Sequence, residues 1–155
     1  MTGTRVVGIR GSFTFEEAVN HMSSLGGNII LFDPSMICGR DHIVSAVHHA
    51  DMAFSEHRNR SKTLLTEIVL YAACERQIGK ALDKMKPKPE SDGMVAAILD
   101  YDGDLKLSEI DAVSDDSLFA PSAEKAKNVG AEMFDGVSPE DAVLEQMAMV
   151  DLMKQ

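Results

Sequence analysis

Tryptophan is absent from this 155-residue chain, and its aromatic residues are two tyrosines and six phenylalanines. A surface that reads single strands by stacking bases on rings has little to draw on here. Cysteine is scarcer still. Cys38 and Cys74 have no CxxC partner, so no zinc ribbon, redox pair or disulfide framework is written in the chain. Two inert thiols in a reducing cytoplasm are the expectation. No apolar run approaches the ~18 residues of a membrane span, and the opening MTGTRVVGIRG lacks the apolar core of a signal peptide. Phosphate-binding glycine loops, nucleophile elbows and spaced pairs of catalytic carboxylates are also missing. Positive charge is in deficit, with 15 Lys and Arg against 25 Asp and Glu, and the net charge of −10 excludes a general nucleic-acid coat.

What is present suits one globular domain. Hydrophobic residues make up 45% of the chain and charged residues 26%, ordinary for a folded chain of this length. The pattern predicts an α+β fold: a small mixed sheet of three to five strands packed with about six helices. Strands are expected at Arg5–Ile9 (RVVGI), Asn28–Phe32 (NIILF) and Met94–Leu99 (MVAAIL), with Leu105–Leu107 pairing to the last across an Asp-Gly turn. Thr14 is placed to cap a first helix with acids in its first turn, and Gly26-Gly27 to end it. A longer helix begins near Gly39, with Ile43, Val47, Ala50 and Phe54 on its buried side. The run Lys86–Gly93 reads as a stiff loop. Ser108–Phe119 has no legible pattern, and Pro121–Met133 reads as a polar helix.

The segment Ser61–Met85 stands at the centre of this reading. Leu64, Ile68 and Tyr71 recur at helical spacing, and Ser61 is a candidate N-cap. After Cys74 the polar run Glu75-Arg76-Gln77 breaks the pattern. A second helix then puts Ile78, Leu82 and Met85 on one side, with Arg76, Lys80 and Lys84 opposite. Arg58 to Lys88 holds eight bases against three acids, so +5, which leaves −15 on the rest. A basic island on an acidic body implies a local anionic partner, although such a run also serves simply to solvate a face. Glu67, mid-helix among apolar neighbours, needs a partner. Arg76 across the break and a direct RNA contact are the two choices.

Two constellations resemble metal sites. His42, His48 and His49 with Asp41 would furnish a small metal-dependent enzyme, the alternative function for this chain. The spacing lacks the i, i+4 histidine pair with intervening Glu, however. Asp100, Asp102, Asp104 and Asp111 mimic a calcium loop, but Gly103 falls at position 4 rather than 6. A hairpin turn is expected there, and no metal or other cofactor.

The stretch Lys62–Ile78, KTLLTEIVLYAACERQI, together with Gly8-Ile-Arg-Gly11, resembles the PRPK-binding subunit family of the KEOPS complex, in an archaeal-like form. The resemblance spans the chain and is specific between Lys62 and Lys84. It implies a non-catalytic cytoplasmic subunit of the assembly that makes threonylcarbamoyladenosine in transfer RNA. Its partners would be the small atypical kinase of that complex, indirectly the threonylcarbamoyl transferase subunit, and the 3′ CCA tail of transfer RNA. Arg60, Lys62, Arg76, Gln77, Lys80 and Lys84 are the candidate RNA contacts, with Lys80 and Lys84 expected to face solvent.

The last helix carries the second surface. Ser138-Pro139-Glu140-Asp141 is a strong start. From Ala142 to Met153, apolar residues then occupy every side of the helix. The body can cover only one side of a terminal helix, so the other is expected to meet a partner through adaptable methionines. The resemblance assigns the kinase to this helix, at Met149, Leu152 and Met153. A fully internal helix is the competing reading.

Overall fold

A strand covered on both faces needs an unbroken apolar run, and Gly93–Leu99 is buried at all seven positions. In the computed structural model of the chain, which describes residues 3–89, 91 and 93–152, this run is the inner strand β3. It pairs antiparallel with β1 (Thr4–Gly11) on one side and β2 (Asn28–Phe32) on the other. A short strand, β4 (Ala112–Ser114), pairs with the far edge of β1, so the order is β2-β3-β1-β4. The α+β class is as expected. The sheet is antiparallel throughout rather than mixed, since no crossover helix joins parallel neighbours.

Among the described residues, six helices complete the domain. Helix α1 (Phe15–Ser24) starts with a full capping box between Thr14 and Glu17. It covers one sheet face, where Ala18 and Met22 meet Ile9, Leu31, Ala96 and Ile98. On the other face lie α2 (Arg40–Ser55), α3 (Leu64–Ala73) and α6 (Pro139–Leu152), around Phe32, Ile43, Leu70, Tyr71 and Met147. Helices α4 (Ile78–Met85) and α5 (Ala123–Val129) close the margins. No helix among the described residues is long and apolar enough to cross a membrane.

Local chemistry sets several of these boundaries. Gly39, with φ +104, precedes α2, and a Cβ there would collide with the carboxylate of Glu140. That carboxylate accepts from the Asp41 amide at 3.0 Å, so an acid from the first turn of α6 caps the start of α2. Gly8 is pressed against the Asp115 carbonyl and leaves no room for a side chain. Its amide donates to Asp116 Oδ1 at 3.0 Å, which fixes the loop after β4. Helix α3 is capped by Thr63, not Ser61, whose hydroxyl turns inward. It ends at Cys74 in the left-handed region, φ 56.

Two expectations are corrected, and one unread stretch is filled. Leu105–Leu107 forms no strand: Leu105 packs under α1 and Leu107 opens a 3-10 turn. The unread stretch Ser108–Phe119 supplies β4 and two such turns. The polar helix is confined to Ala123–Val129 by the Ser122 cap and Gly130.

His42, in the first turn of α2, is wholly buried. Its Nδ1 accepts from the Cys38 amide at 2.9 Å, so Nε2 carries the proton and donates to Ala72 O at 2.7 Å. Burial pushes its pKa down to about 4, against the opposing pull of the Ala72 carbonyl. The unfolded imidazole takes a proton near pH 6.5, which the folded one refuses until about pH 4. Stability from this group is therefore complete above pH 6.5 and lost as pH falls through that window, by about 3 kcal/mol. Urea titrations between pH 7.5 and 4.5 should show that slope in the native chain. They should show it reduced in His42→Asn.

Candidate functional site

Glu67 lies in the first turn of α3 with no solvent exposure. Its carboxylate accepts from the Arg60 amide at 3.1 and 3.2 Å, and from the Ser61 amide and hydroxyl at 2.9 Å each. The acid is paired within the fold as a buried carboxylate requires, but with the Arg60 and Ser61 groups rather than with Arg76. The acid holds the turn that joins α2 to α3. No sequence spacing announced this, because the donors are main-chain groups.

That turn aims two arginines at the end of α6. Arg60 donates to Val150 O at 3.2 Å, in the last turn of the described helix. Arg58 donates to Asp151 at 2.8 Å and to Tyr71 Oη at 3.3 Å. Its ion pair with Glu56 raises its pKa further. Tyr71 Oη donates to the same Asp151 oxygen, and burial followed by that bond pushes its pKa up to about 12. The ring of His49 stacks on Tyr71 at 5.2 Å. Cations at the negative end of α6 are electrostatically favourable.

The basic island is thereby divided. Arg60 is engaged at α6, and Lys62 stands exposed before α3. Arg76, Gln77 and Lys80 lie beyond the other end of α3, about 15 Å away along its axis. All three are exposed, and no side chain caps the start of α4. Lys84 is not solvent-facing, contrary to expectation. Its ammonium bonds Ala73 O at 2.8 Å, Val129 O and Glu75 at 3.2 Å, locking the end of α3 to α4 and α5. The packing of α4 is turned accordingly. Ala81 and Met85 are buried, while Ile78 and Leu82 reach the surface.

The three histidines do not converge. Both nitrogens of His42 are engaged in the core, His48 is exposed, and His49 lies against Tyr71. Among the described residues, no group of three His, Cys, Asp or Glu could hold a metal.

Helix α6 separates its apolar residues into two faces. Ala142, Val143, Met147 and Val150 are buried against the body. Met149 and Leu152 project outward, 44% and 78% exposed. Phe134, 56% exposed, joins them across a shallow pocket shared with Met149. Sequence reading missed Phe134, although a phenylalanine between Glu132 and Gly136 in a polar loop was a signal. Met153 lies outside the described residues.

Residues 17–151 match the sequence model of a family described as kinase binding protein CGI-121. No curated protein matches the chain.

Replacing Glu67 with Ala should leave the Arg60 and Ser61 amides without their acceptor, while the Ser61 hydroxyl keeps Thr63 O, and destabilise the fold by about 3 kcal/mol. Replacing the exposed Arg76 with Ala should cost under about 0.5 kcal/mol. Urea denaturation of the two variants checks both values, and equal effects would remove the distinction between them.

Proposed function

The chain belongs to the CGI-121 family of kinase binding proteins, and from that premise we propose that it is a non-catalytic adaptor that docks a kinase on the outer face of α6. The observation that carries this reading is a helix buried on one side by Val143, Met147 and Val150, with apolar Met149 and Leu152 uncovered on the other. A monomer has no use for such a face, and adaptable thioethers suit a partner contact. The sequence resemblance supports the small atypical kinase of the KEOPS complex as that partner. The adaptor then works in the cytoplasm, linked through the kinase to the threonylcarbamoyl transferase subunit.

The same resemblance supports a second contact, with the 3′ CCA tail of transfer RNA. Exposed Arg76, Gln77 and Lys80 surround the start of α4, where unpaired amides and the helix dipole favour a phosphate. Gly79 leaves open space for a close backbone approach. Lys62 would extend the path past α3. Arg60, Lys84 and Glu67 support the surface from within.

Leu152→Glu and Met149→Glu should each weaken kinase association about 30-fold, the effect of a ~2 kcal/mol interface anchor. Circular dichroism should stay unchanged, because both side chains are exposed. Normal kinase binding by the double variant would exclude this face.

Arg76→Glu combined with Lys80→Glu should weaken transfer RNA binding and lower its log–log salt slope by about 0.7 per lost contact. Kinase association should persist in that variant. A transfer RNA without its CCA end should lose comparable affinity, and equal binding of the tailless molecule would exclude tail reading.

A further inference from the structure

Strand β2 is the edge of the sheet, set between α1 and α4, and its free side keeps main-chain groups that no other strand pairs. Hydrogen-bonding groups alternate sides along a strand. Gly8 turns toward β4, accepting from the Asp115 amide at 2.7 Å, so even residues of β1 face β4 and odd ones face β3. Through the register Arg5↔Ile98 and Asn28↔Leu99, Asn28, Ile30 and Phe32 then face β3, while Ile29 and Leu31 face outward. Asp33 agrees with this parity, because its amide is turned outward onto Met85 O at 2.9 Å. Among the described residues, no partner is recorded for the outward amides and carbonyls of Ile29 and Leu31. Edge strands are ordinarily protected by a lysine, a proline, a bulge or a covering segment. The sequence NIILF contains none of these.

This edge forms the floor of a cleft of about 380 Å³ between α1 on one side and α3 and α4 on the other. The α1 wall presents Phe15 and Val19, and the opposite wall presents Leu65, Val69 and Leu82. Phe15 and Leu82, at the two walls, are 40% and 44% exposed. Lys86 is the single charged residue of the lining. The lining includes no residue of α6, and none of Arg76, Gln77 and Lys80.

The geometry points to strand addition: β2 receives a short extended peptide segment of a partner protein, apolar on both faces, as a fifth strand of the sheet. Unpaired main-chain groups at Ile29 and Leu31 call for a ligand with free main-chain groups at the same repeat. A helix has none to offer, because its own are paired internally. A nucleic-acid strand would bring phosphates to a lining with one cation. A second copy's β2 is itself sunk between its own α1 and α4 and cannot reach the floor. Side chains of an added strand would alternate between the α1 wall and the α3–α4 wall. Both walls are apolar, so the segment is a continuous run of about four aliphatic residues rather than an alternating one.

Panning a random decapeptide display library on the full chain, and in parallel on Phe15→Glu and Leu82→Glu, tests this. Peptides enriched on the native chain should carry the aliphatic run and bind each variant at least ~10-fold more weakly. In a nitrogen-15 titration, the amides of Ile29 and Leu31 should shift strongly, and those of Ile30 and Phe32, already paired to β3, weakly. N-methylation of alternate peptide residues should abolish binding in one register and spare it in the other. That register test uses the native chain alone, so it decides the matter even if a variant fails to fold. Absence of enriched peptides, insensitivity to N-methyl register, or displacement of the peptide by a CCA-ended ribo-oligonucleotide that protects the same amides would overturn the proposal.

Discussion

A carboxylate without solvent must find donors within the protein, and for Glu67 they are the main-chain amides of Arg60 and Ser61. Much of the helical layer follows from that requirement. The turn between α2 and α3 closes around the acid, and Arg58 and Arg60, from the same turn, reach Asp151 and the Val150 carbonyl of α6. One buried charge thus sets the relative placement of three helices. Tyr71 adds a second tie, because its hydroxyl reaches Asp151 while its ring supports His49.

The architecture was legible where the residue pattern and the packing answer to the same period. NIILF and MVAAIL are strands because nothing polar interrupts them, and Thr14 with Glu17 is a capping box in letters as in space. The two faces of α6 could be anticipated because its apolar residues lie on all sides of the helix, and a single packing face covers only some of them. Legibility failed where long side chains choose partners far along the chain. Lys84 sits on a cationic stripe in projection, yet its stem is long enough for the ammonium to return to Ala73 and Val129. Arg60 behaves in the same way at Val150. Glu67 was recognised as needing a partner, but main-chain donors leave no trace in composition.

Helix α4 shows a further limit. Its pattern is strongly amphipathic, and periodicity alone puts Ile78 and Leu82 inward. With the ammonium of Lys84 turned inward, Ala81 joins Met85 in the core, Leu82 lines an open cleft and Ile78 reaches the surface. Burial of one charged group has exposed apolar area on the neighbouring face. The rotation explains how an acidic chain with few aromatics still presents apolar surfaces in two separate places.

The position of β3 in the chain has a consequence for synthesis. Strands β1 and β2 are complete by residue 32, yet neither pairs with the other. Each hydrogen-bonds only with strands that begin at Gly93 or later. While the chain emerges from the ribosome, the helical middle can therefore gather long before any sheet exists, and two apolar strands wait without partners for more than sixty residues. Closing such long loops is slow, and unpaired strands invite association during the wait. The segment that joins both waiting strands, β3, is buried at every position, and β4 is added to β1 only later in the chain.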